Sequence, residues 1–406
     1  MDIADPHDPT ARAVRELIAL DGGPLVPAAL GRALPERALL GALASLAFLE
    51  EELNRSSAAN GGPAVSVHPT RSTGMRASVR KVAPDHAAVL VPIGVIARLH
   101  VMSRLLLGYW GSDKTAPTLL ASIRDRPFER RLPRALRPLL DDVDDADDGA
   151  GGAAAERRWW QALDALDDAI ALDPAFEPDV GELGHLALSL LLSHEFAHVA
   201  RHHHDIRRRV RAGELAFELD DREAQAPRPA TDAELRRAME NDADRIAAYQ
   251  VVLTLQRQTA GRPDDLPRGF LRLGYALTAL LALFDPRRLS LMEFGAEASY
   301  PHPLLRHDGC LADGAACAAA LGLETLFETE ALAGARACLD ALRLLEFEVY
   351  AERRFCAADE QPEPVLHALR GSLQNALLLA RERAAEDALV LRLNTLIARA
   401  YGEFRF

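Results

Sequence analysis

From Leu186 to Val199 the sequence has the composition of a helix made for the protein interior, yet it carries His194, Glu195 and His198. Ionisable groups in such a setting are costly unless a partner or a metal compensates them. Two His four residues apart project from the same face of a helix about one turn apart, as chelation of zinc requires. Glu195 stands beside the first of them, where it can take a proton from a zinc-bound water and pass it to a leaving amine. The run His194-Glu195-Phe196-Ala197-His198 therefore predicts a metal-binding helix, and the fold must bring at least one further ligand to it.

Two places in the chain can supply that ligand. His204 has the spacing of a third His delivered by a sharp helix break, but Arg201 stands where a Gly would allow that break. His203 and His204 are read instead as the basic end of the helix, favourable against its dipole. Glu240 and Asp244, four apart in a second helical segment, offer an alternative. One carboxylate can bind zinc while the other accepts the free ring N–H of a ligand His.

With those residues in view, the chain resembles the gluzincin metallopeptidases, and within them the catalytic domain of the HtpX-like and CAAX-processing endopeptidases. In that group a His-Glu-x-x-His helix precedes a helix with Glu-x-x-x-Asp, followed by a His-Pro step and an Arg. Here the segments are His194 to His198, Glu240 to Asp244, and Ser299-Tyr300-Pro301-His302-Pro303-Leu304-Leu305-Arg306. The resemblance spans residues 75 to 310 and implies Glu240 as third ligand and His302 as a donor facing the scissile carbonyl. Tyr300 is a second candidate donor. It also implies that the strand at 86 to 92 is the sheet edge along which substrate lies. The relatives carry membrane-spanning helices and this sequence does not. A fainter likeness is to the Lit-type phage-exclusion peptidases, bacterial His-Glu-x-x-His proteins that cleave a host protein during infection.

Patterning outside the motif predicts an α+β fold that is mostly helical, a zincin-like core with a small sheet and an active-site helix. Residues 75 to 82 and 86 to 92 read as strands joined by a turn at Ala83-Pro84-Asp85. Helical periodicity covers 9 to 55, 94 to 108 and nearly everything after Glu156. Three regions follow: an N-terminal helical part at 1–65, a peptidase domain at 66–310 with an acidic loop at 141–152, and a C-terminal helical part at 311–406. Cys310, Cys317, Cys338 and Cys356 form no Cys-x-x-Cys pair and read as free buried thiols.

Composition narrows the partners. A net charge of -13 opposes phosphate attraction, so no nucleic acid partner is expected. The apolar runs at Leu186–Val199 and Leu273–Phe284 are shorter than the ~20 residues a membrane span needs. The acidic first residues lack the order of a secretory signal, which makes the cytoplasm the expected location. The function these readings converge on is a zinc-dependent endopeptidase acting on a protein or peptide substrate. It could serve as a regulated bacterial stress or phage-defence effector, with a regulatory partner uncovering the cleft. The rival is a non-catalytic zincin scaffold that binds proteins; an intact Glu195 argues against it, because a structural zinc site needs no base.

Overall fold

The computed structural model describes residues 8–25, 34–74, 76–110, 152–170, 172, 174–215, 218–221, 226–229, 231–284, 303–356 and 366–401. The acidic loop, apart from Gly152, lies outside the described residues, as do Tyr300 and His302.

Three strands form the larger sheet: β1 (Ala64–Thr70), β2 (Ser78–Ala83) and β3 (His86–Pro92), in the order β1-β3-β2. β3 is parallel to β1, with Val67 opposite Val89, and antiparallel to β2, with Val79 opposite the same Val89. The run Ala87-Ala88-Val89-Leu90-Val91 is buried on both faces, as a central strand must be. Strand 86–92 is therefore the middle of the sheet, not the edge expected from the family resemblance, and its backbone groups are already paired on both sides. The reading missed β1, because a parallel partner is a non-local pairing that no turn announces. A two-stranded hairpin, β4 (Glu218–Asp221) with β5 (Ala226–Pro229), was also unforeseen.

Helices cover both faces of β3. Val14 and Ile18 of α1 (Pro9–Leu20) pack with Ala88 and Leu90 on one face. On the other, Ala87, Val89 and Val91 join the main core with α2 (Glu36–Ala59) and α3 (Ile93–Trp110). Alternation with period two separates these sets. Arg98 of α3 is fully buried, stacks at 4.6 Å on Trp159 of α4 (Gly152–Ala169), and donates at 2.6 Å to the Thr73 carbonyl. It thereby fixes the segment leading into β2.

The same core takes in α5 (Glu177–Ala200), which carries the His-Glu-x-x-His motif, and α7 (Asp232–Gln258), which carries Glu240. Between them lies the short α6 (His203–Arg211). α7 begins with a capping box in which Thr231 and Glu234 satisfy each other's backbone N–H groups. Beyond it stand α8 (Leu266–Phe284), α9 (Pro303–Ala320), α10 (Glu324–Cys356) and α11 (Leu366–Tyr401). α8 and α10 meet backbone to backbone: a Cβ on Gly334 would come within 1.8 Å of the Leu271 carbonyl oxygen, and one on Gly274 within 1.9 Å of that of Ala331. Among the described residues no helix is long and apolar enough to cross a membrane; Cys310, Cys317 and Cys338 are free and buried, and the side chain of Cys356 lies outside what is described.

Candidate metal centre

α5 is apolar on nearly all sides, so His194 and His198 are buried where the helix crosses α7. Their Nε2 atoms lie 3.2 Å apart. The Glu240 carboxylate reaches both, with Oε2 at 3.3 Å from His194 Nε2 and Oε1 at 3.8 Å from His198 Nε2. A tetrahedral ion bound at ordinary zinc–ligand lengths has edges of about 3.3 Å between its donors. This is the one group among the described residues able to hold a metal ion.

Both imidazoles have their other nitrogen engaged, which leaves Nε2 to face the ion. His194 Nδ1 lies 2.8 Å from Asp244 Oδ1 and donates to it. Asp244 in turn accepts two hydrogen bonds from Arg306, from Nε at 2.6 Å and Nη2 at 2.8 Å. Burial works against a charged Asp244, but Arg306 and His194 outweigh it and hold the carboxyl well below its usual range. His194 shows the converse. Burial alone would discharge it, yet the hydrogen bonds and charges of Asp244 and Glu240 raise it to about 10 in the metal-free protein.

His198 is held differently. Its Nδ1 lies 2.9 Å from Nδ1 of His203, whose Nε2 is 3.0 Å from Asp242 Oδ2. A carboxylate only accepts, so His203 carries its proton on Nε2, and its Nδ1 accepts from His198. That order assigns the His198 tautomer with Nε2 free for a metal. Asp242 is also bonded by Arg201 Nε at 2.9 Å. His203 is 1 % exposed and bonded between His198 and Asp242, so its reading as merely the basic end of the helix is corrected. The reason lies in His202: with φ of 57° it is the only described non-glycine residue in left-handed conformation, and it turns the chain so that His203 folds back under His198. The break that Arg201 seemed to forbid thus occurs one residue later.

Sequence reasoning missed Asp242, His203 and Arg201. A signal was present, since Glu240, Asp242 and Asp244 alternate along a helix and cannot share one solvent face. His204 is not among the converging donors.

Glu195 lines the same cleft, a cavity of about 540 Å³. Burial, with the charge of Glu240 adding to it, raises Glu195 to about 7 against the pull of His194, Arg80 and Arg306. One wall is Ala77 to Arg80, at the start of β2, the true edge strand on this side. Leu190, Leu191, Leu277, Leu280 and Leu281 form an apolar wall. His204 also lines the cleft, and burial first, then the charges of His203, Arg80 and Arg207, lower its pKa. No described residue of α11 lines it.

The fold thus presents a buried His-His-Glu cluster capable of coordinating a metal, in a zincin-like arrangement of helices beside a small sheet. Compared with protein-family models, curated proteins and solved structures, the chain matches none.

Proposed function

We propose that this protein is a zinc-dependent endopeptidase of the gluzincin type, resembling the HtpX-like and CAAX-processing enzymes in its catalytic residues. One observation carries the reading: the donor atoms of His194, His198 and Glu240 converge in a cleft that Glu195 shares and an edge strand walls. Two imidazoles and a carboxylate suit zinc and leave a fourth position open, as catalytic rather than structural sites do. When bound there, zinc would polarise the scissile carbonyl and make a water more acidic.

The protein's own groups supply the rest. Glu195 accepts the proton of the attacking water and delivers it to the departing amine, a role for which its place beside His194 in the cleft suits it. Asp244 orients His194, and Arg306 keeps Asp244 charged. β2 pairs with β3 on one side only among the described residues, so its other edge can take up an extended peptide. His302 and Tyr300 remain the proposed donors to the oxyanion.

The test compares zinc-loaded wild type with Glu195→Gln on a quenched fluorescent peptide library. Hydrolysis by wild type, reduced about 10² to 10⁴-fold in Glu195→Gln at unchanged zinc content, is the expected result. Equal turnover by the two would remove Glu195 from the chemistry and the peptidase reading with it.

A further inference from the structure

The two ends of the cleft differ in chemistry. α7 runs antiparallel to α5 and α6, since His194 meets Asp244, His203 meets Asp242 and Arg207 meets Asp232. α8 runs parallel to α5, with Arg268 beside Asp179 and, one turn on, Arg272 reaching Glu182. Eight residues further along each helix, Leu280 comes level with Leu190, because both rise at the same rate. The end of the cleft before His194 is therefore apolar, built from Leu190, Leu191, Ala247, Leu277, Leu280 and Leu281.

The end beyond His198 is cationic. Arg207 and Arg236 line it, and both, like Arg211 beside them, contact the carboxylate of Asp232. Arg80 faces the same end from β2, and its only hydrogen bond among the described residues goes to the Val79 carbonyl next to it. Among the described residues, the carboxylates lining the cleft are Glu240, Glu195 and Asp244, which stand at the metal centre rather than at this end. The surplus is local: the chain as a whole carries -13. A cleft of one sign focuses its field on what enters it, and guanidinium recognises carboxylate with paired N–H donors.

We infer that the cleft selects peptide segments with an apolar side chain on one side of the scissile bond and an Asp or Glu on the other, Arg80 and Arg236 being the residues that read the acid. The inference rests on the peptidase reading for the word scissile, but selection of an acidic segment stands on the cleft alone.

The experiment separates binding from hydrolysis. Two labelled decapeptide pools, each with a central Leu and with either Glu or Gln fixed three residues away on either side, are titrated against zinc-loaded Glu195→Gln protein and read by fluorescence anisotropy. The expected result is about tenfold tighter binding of the Glu pool, lost at high salt and abolished in Arg80→Gln/Arg236→Gln. An Arg80→Glu/Arg236→Glu protein should prefer a Lys pool. Equal affinity for the Glu and Gln pools at low salt overturns the inference even if wild type cleaves both. Preferential binding of the Glu pool by a wild-type protein that cleaves nothing upholds it and removes the peptidase reading instead.

Discussion

His194 and His198 are one helical turn apart and are held by different partners, a carboxylate in one case and a second imidazole in the other. The difference shows in their protons. His194, raised to about 10 by Asp244 and Glu240 against its burial, is charged in the metal-free protein at neutral pH. Burial, with the charge of His194 next, drives His198 well below the usual value, so it is neutral. A folded-state pKa raised above the unfolded value of about 6.5 gives a stabilisation that is complete below 6.5 and lost as pH rises through the folded value. Metal-free protein should therefore lose this contribution as pH approaches 10. Metal binding must displace the His194 proton. Calorimetric titration with zinc at pH 7.5, in buffers of different ionisation enthalpy, should show about one proton released per zinc. Proton uptake, or no exchange, would mean that His194 is already neutral.

At the scale of elements, the turn at His202 decides what supports His198. α5 ends at Ala200, and the left-handed residue at His202 starts α6 in a direction that buries His203 between His198 and Asp242. Removing such an indirect support weakens metal binding by about 10- to 100-fold. His203→Gln and Asp242→Asn should each raise the zinc dissociation constant by that factor in competition with a chelator. The double variant should add little, because both break one chain of bonds. A normal zinc affinity in His203→Gln would return His203 to a mere packing residue. Much of this site was legible in the sequence, since the spacings His194-Glu195-His198 and Glu240-Asp244 each lie within one helix and follow from its period. The rest was not. Where the chain goes after Arg201 depends on one backbone angle, and the order β1-β3-β2 depends on a parallel pairing between residues about twenty positions apart. Neither leaves a local pattern, which is why β3 was read as a sheet edge when β2 is one.

Across the whole molecule, the C-terminal helix is tied to the back of the metal centre. Leu389, Leu393, Leu396 and Ile397 of α11 form a small core with Ile206 of α6 and Leu235, Ala238 and Met239 of α7. Asn394 accepts from Arg201, and Tyr401 stacks on His202 at 4.1 Å. The helix so braces the turn that positions His203, and none of its described residues lines the cleft. The apolar wall is braced separately, by the close contact of α8 with α10 at Gly274 and Gly334. These distant parts of the chain converge on three donor atoms, so the most direct measurement locates the metal itself. Crystals grown with zinc and measured on both sides of its absorption edge should show one anomalous peak per chain, about 2.0–2.2 Å from His194 Nε2, His198 Nε2 and a Glu240 carboxylate oxygen. A peak bound by His203 and His204 without Glu240, or no peak between His194 and His198 at saturating zinc, would contradict the account.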